Sequence, residues 1–282
     1  MGHFARQPSL SSLRHAGSEG HAGTSWSSPG AAVALLTILG ALLSATTSLP
    51  THSNRPSHLA TPSGWPTQFA WTWDRADDLR FLPPGTGIAA VRLSVELDGS
   101  HVRLRANHGA LMRRADAFML PVVHVDALAS WHPTLDAAQE DTLVAAIVDV
   151  ALHTGARAVQ VDFEALPSQR EFYRRVLGRV RLRLPLTYLS ITGLASWCLA
   201  DRWTADLPVD EVVGMAFRMG PEGAAYRRAI HGLADWPAGD CTSTGVATDE
   251  PGGPLPRRRA LYLFSPRPWT PVLWQTTLDS NT

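Results

Sequence analysis

From Gln68 to Phe264 short β-branched or aromatic runs alternate with longer helical patterns, and this rhythm is the strongest constraint on the fold. Expected strands lie at 68–73, 88–97, 118–125, 158–163, 187–192 and 212–217, with weaker runs at 244–247 and 260–264. Two intervening helices are well marked. Over 134–154, Leu143, Ala146, Ile147 and Val150 share a face and Gly155 stops the run. Over 168–184, Phe172, Val176, Leu177 and Val180 share a face, Ser168 and Glu171 stand at capping-box spacing, and Pro185 follows. Eight strands joined this way close on themselves. The expected fold class is α/β, a (β/α)8 TIM-like barrel over 67–282, irregular or incomplete in its last units. The Gly- and Pro-rich stretch 237–259 is expected to be a long loop over one mouth or a flexible excursion. It closes on Arg257, Arg258 and Arg259, read as a solvated basic turn in preference to a binding patch.

The segment ahead of the barrel bears on the compartment. Residues 1–30 form a Ser-, Gly- and His-rich leader carrying Arg6, Arg14 and Glu19, and are expected to be disordered. The apolar run 31–45 is shorter than the ~20 residues that span a bilayer, which suits the core of a signal peptide; an uncleaved membrane anchor is the alternative. A polar, Pro-containing linker follows over 46–66. Either alternative places the barrel outside, in a periplasmic or extracellular setting, with membrane contact only through that anchor. There the two cysteines, Cys198 and Cys241, form a disulfide or stay as two buried thiols; with no CxxC they do not make a zinc site alone.

Charge narrows the chemistry. The chain has 25 basic and 25 acidic residues, so it lacks the positive excess of a nucleic-acid binder. Every basic residue is Arg, which removes Schiff-base catalysis and the lysine of a phosphate-binding loop. No G-x-S-x-G elbow occurs either. What remains informative is how the strands end. The first runs into Asp74, the second carries Glu96 and Asp98, and the third carries His124 and Asp126. The fourth, AVQVDFEA, places Asp162 and Glu164 two residues apart in an otherwise apolar run, so both face the barrel interior or its mouth. Two carboxylates in one pocket imply proton sharing, a metal or arginine partners, and proton sharing suits acid catalysis. A pair tied to arginines that merely fixes strand register is the competing reading. Trp71, Trp73, Trp131, Trp197 and Trp269 follow or sit on strands, where indoles either pack the rim or stack on sugar rings.

The stretches VQVDFEALPSQREFYRRVLGRVRLRLP, LSITGLASWC, VDEVVGMAFRMG, the DEP of Asp249 to Pro251 and LYLFSPRPW resemble a bacterial domain-of-unknown-function family of exported, barrel-like proteins, over about Phe69 to Trp269. More remotely, Asp162-x-Glu164 resembles the end of the chitinase-type glycoside hydrolase motif. Met215 to Arg218 resembles that group's Met-x-Tyr-Asp. The resemblance implies Glu164 as general acid and Asp162 as its orienting or charge-stabilising neighbour. The longer motif expects acids at Arg157 and Gln160 and an Asp at Arg218.

Three readings follow. In the first, the chain is an exported glycoside hydrolase-like barrel with Glu164 as proton donor and Asp162, Asp126 or Glu250 as second carboxylate. Asp74, Trp73, His124, Trp197, Arg218 and Asp249 would bind a carbohydrate or other small polar ligand, with no cofactor or metal required. In the second it is a non-catalytic sugar-binding barrel, which Arg157, Gln160 and Arg218 favour. In the third His124, Asp126, Asp162 and Glu164 serve a metal-dependent hydrolase.

Overall fold

A computed structural model describes residues 59–281 of the chain. The leader, the apolar run and most of the linker lie outside the described residues. In chain order the elements are β1 (Gln68–Thr72), β2 (Asp77–Asp78), β3 (Gly87–Asp98), β4 (His101–Ala106), β5 (Leu111–Met112), β6 (Phe118–Asp126), α1 (Ala137–His153), β7 (Ala158–Phe163), α2 (Arg170–Arg183), β8 (Tyr188–Leu194), α3 (Ala195–Leu199), β9 (Glu211–Met215), α4 (Gly223–His231), β10 (Cys241–Ala247), β11 (Leu261–Phe264) and α5 (Pro271–Asp279).

Eight of these strands pair in parallel in the order β1-β11-β10-β9-β8-β7-β6-β3, and β1 pairs with β3 to close the ring. The expected α/β barrel is therefore present. It is irregular at both ends of the chain. No helix joins β1 to β3 or β3 to β6; a short β2–β5 ribbon and the antiparallel β3–β4 hairpin occupy those crossovers. No helix joins β10 to β11 either. The stretch expected as a long loop or excursion contains all of β10, which extends the weak run at 244–247 back to Cys241; Thr244 and Gly245 find ladder partners on both sides. At α2 the start signal differs from expectation. Gln169 Oε1, not a Ser168–Glu171 box, accepts the Leu166 N–H at 2.8 Å, and Glu171 faces Arg174 instead.

Side chains alternate between two environments. On β1 and β11, Phe69, Trp71, Tyr262 and Phe264 point into the barrel, where Phe69 stacks on Tyr262 at 4.4 Å and Trp71 on Phe264 at 4.9 Å. Ala70, Leu261 and Leu263 point outward beneath Trp269 and Trp274. The last residues of the expected linker pack onto the N-terminal end of the barrel. Trp65 lies against Phe69, Phe118 and Tyr188, and the Leu59 N–H donates to Asp210.

Cys198 on α3 and Cys241 on β10 form a disulfide, so the bridged alternative holds. Gly214 on β9 makes room beneath it, since a Cβ there would stand 2.9 Å from both Cys198 Sγ and Trp236. The bond closes a sequence separation of 43 residues that includes the whole of β9 and α4. The double variant Cys198→Ser/Cys241→Ser should lose about 2–4 kcal/mol, read from urea unfolding, because its unfolded chain regains that loop freedom. Unchanged stability would show that the bridge constrains nothing in the unfolded ensemble.

Candidate active site

Below the C-terminal mouth a polar belt crosses the barrel. Trp71 Nε1 donates to Gln160 Oε1 at 3.0 Å, and Gln160 Nε2 donates to Ser190 Oγ at 3.0 Å. Ser190, Ser243 and Tyr262 each donate a hydroxyl to the Glu211 carboxylate, at 2.8, 2.6 and 2.9 Å. The amide at Gln160, where the chitinase-type motif has an acid, thus serves packing and an indole. Burial raises the Glu211 carboxyl above its ordinary 4.5, and the three hydroxyls with the Arg259 charge offset only part of that. A raised folded pKa gives a stabilisation fully present below 4.5 that is lost as pH climbs through the raised value. Glu211→Gln removes this titration, so its unfolding midpoint should fall less from acid to neutral pH than that of the wild type. Parallel pH profiles would contradict the assignment.

One step nearer the mouth stand His124 on β6, Asp162 on β7 and Thr192 on β8. The register aligns them: His124 lies opposite Asp162, and Val161 opposite Ile191 puts Asp162 level with Thr192. Asp162 Oδ2 lies 2.8 Å from His124 Nδ1, and Asp162 Oδ1 accepts from Thr192 Oγ1 at 2.6 Å. His124 Nε2 lies 3.2 Å from Asp126 Oδ2, close enough for charge attraction but not aligned for a hydrogen bond. Burial alone would lower the His124 pKa; Asp126 and Asp162 outweigh it and lift the imidazole from 6.5 to about 10. His124 is therefore an imidazolium clamped between two carboxylates. Trp73 stands edge-on to its ring at 5.2 Å.

Glu164 follows the last residue of β7, is half-buried, and sits at a tight turn in which the Ala165 N–H donates to the Phe163 carbonyl at 2.9 Å. The structure thus brings together Trp73, His124, Asp126 and Asp162 on the β1, β6 and β7 side of the mouth, with Glu164 at the end of β7. Glu250, Asp249 and Arg218 form a separate cluster beyond β9 and β10. Arg218 Nη1 and its backbone N–H both donate to Glu250 Oε1, at 2.7 and 2.8 Å, Nη2 reaches Asp249 at 2.5 Å, and Arg227 lies 3.5 Å from the other Glu250 oxygen. These bonds hold Arg218 at φ 53°, a left-handed backbone. Glu250 is thus paired with two arginines, away from the His124 and Asp162 group.

Two expected binding residues have other work. Trp197 is 1% exposed and packs edge-on against Trp203, so it is a core side chain and presents no face to a ligand at the surface. Asp74 accepts from Arg105 and from the backbone of His108 and Gly109, fixing the chain that follows the β3–β4 hairpin. Thr192 was legible only as a hydroxyl in the run LSIT, and nothing in the sequence ties it to Asp162. Among the described residues no group of three or more His, Cys, Asp or Glu side chains is placed to hold a metal ion.

Fold and site together define a closed parallel βα barrel with a carboxylate- and imidazolium-lined C-terminal mouth. The chain matches no protein-family model and no curated protein sequence. Among solved structures it is similar to a fungal endo-beta-N-acetylglucosaminidase from glycosyl hydrolase family 18, at 13% identity and a TM-score of 0.44, over 71% of this chain and 90% of that one.

Proposed function

We propose that the chain is an exported, glycoside hydrolase-like barrel that acts on a polysaccharide, with Glu164 as the general acid. The observation that carries this reading is the acid group at the C-terminal end of β6 and β7: Asp162 and Asp126 flank a buried imidazolium, and Glu164, half-buried, follows immediately where β7 ends. Glycosidic cleavage needs one group to protonate the leaving oxygen and a second, anionic group facing the developing positive charge. Asp162, backed by His124 and Asp126, supplies the fixed negative group, and Trp73 beside it offers an indole against which a sugar ring can stack. Export rests on the apolar run at 31–45 and accords with the disulfide.

A non-catalytic sugar-binding barrel is the second reading, favoured by the ion pairs that bind Glu250 and Asp249 to Arg218. The two separate when wild type and Glu164→Gln are assayed on one glycan panel, for hydrolysis and for binding. Turnover confined to the wild type supports the enzyme. Binding without turnover in both forms supports the module.

A further inference from the structure

The opposite end of the barrel carries a basic feature that the acid-lined mouth does not use. Arg258 and Arg259, just ahead of β11, both line two adjoining hollows of about 480 and 310 Å³ at the N-terminal ends of the strands. The first also contains Asp235, Trp236 and Thr242; the second contains Thr67 and Gln68.

The three consecutive arginines are not equivalent. Arg257 is exposed and spends its guanidinium on Asp235, with contacts of 2.9 and 2.5 Å. Arg259 donates to the Tyr188 hydroxyl and to the Asp210 carbonyl. Arg258 is half-buried, donates one hydrogen bond to the Asn281 carbonyl at 3.2 Å, and has no carboxylate partner among the described residues. Burial lowers its pKa, with no neighbouring acid to offset that. Nearby Asp210 does not compensate it, because its carboxylate serves Arg181 and the Leu59 and Leu189 N–H groups. Asp235 is the one acid lining the first hollow, against three arginines, which leaves an excess of two positive charges. A second, independent observation is the Thr242 hydroxyl: it lines the same hollow, is buried, and has no hydrogen-bond partner. A half-buried cation with no ion-pair partner and a buried hydroxyl oxygen with no hydrogen-bond partner, both among the described residues, each cost free energy.

We propose that this groove is an oxyanion site that takes a phosphate ester, held by the Arg258 guanidinium, the Arg259 guanidinium and the Thr242 hydroxyl. Two planar guanidinium forks and a hydroxyl match a tetrahedral group with three free oxygens better than a carboxylate with two. The ester is either a soluble metabolite or a phospholipid headgroup, since the chain reaches this end of the barrel from its apolar segment through Leu59 and Trp65. The site lies at the other end of the barrel from Glu164 and stands or falls independently of the glycan reading.

The test is titration of the full chain with glycerol phosphate at fixed ionic strength, alongside co-sedimentation with phosphatidylglycerol and phosphatidylcholine vesicles. Saturable binding of the soluble ester, or of the anionic vesicles alone, is expected and identifies the source. Arg258→Gln should weaken it at least tenfold and Thr242→Val about threefold or more, whereas Arg257→Gln, already neutralised by Asp235, should stay within about threefold. Should Arg258→Gln fail to fold, Thr242→Val and Arg258→Lys carry the comparison, Lys retaining the charge but not the fork. No saturable binding of either probe, or equal affinity in wild type and the Arg258 and Thr242 variants, overturns the proposal.

Discussion

Glu164→Gln should lower turnover of a cleaved glycan by about 10²–10⁴-fold, the usual contribution of a positioned general acid, and leave glycan binding within a few fold. Gln keeps the size of the side chain but has no acidic proton to deliver. Because acid assistance matters most when the leaving oxygen is a poor leaving group, the loss should shrink for an aryl glycoside that departs without protonation. That contrast separates a proton donor from a residue that only positions the sugar, for which both substrates would suffer alike. Asp162 is held by His124 and Thr192, and Glu250 by two arginines. An equal loss on both substrates would move Glu164 from chemistry to binding.

His124→Ala should destabilise the fold by about 3–5 kcal/mol, because it strips the cation from between two carboxylates that water reaches poorly. Adding Asp162→Asn to that variant should recover part of the loss, since the strain is then one buried anion fewer. The pH dependence gives a sharper readout. The folded His124 pKa, about 10, lies above the ordinary 6.5, so its stabilisation is fully present below 6.5 and is lost as pH rises through about 10. Wild-type stability should therefore slope downward by a few kcal/mol across that window, and the His124→Ala slope should be shallower by that amount. If wild type and variant decline in parallel, the imidazole is not an ion-paired cation and the clamp is misassigned.

Much of this centre was legible in the chain before its fold was known. The run HVD marks His124 and Asp126 as neighbours on one face, and they stand 3.2 Å apart; AVQVDFEA marks Asp162 as an acid inside an apolar strand. Spacing along one strand could not reveal which acids meet which partners, because that depends on the register between β6, β7 and β8. Trp197 shows the limit from the other side. A tryptophan just beyond a strand end suggests a mouth residue, but α3 folds back over β9 and the ring closes into the core against Trp203. Glu250, expected as a second carboxylate, and Asp249, expected to bind ligand, both meet the guanidinium of Arg218, which the chain could not show in advance.

The sequence by itself determined the barrel, since short β-branched or aromatic runs alternating with helical patterns leave few other ways to bury their faces. It also determined that acids would collect at one end, because polar residues interrupt those runs at their C-terminal ends. Only the tertiary structure decided the state of each charge. A carboxylate's behaviour is set by what stands within a few ångströms, and ring closure brings Asp162 to a histidine, Glu250 to two arginines and Glu211 to three hydroxyls. It leaves Arg258 at the far end of the barrel with no ion-pair partner among the described residues.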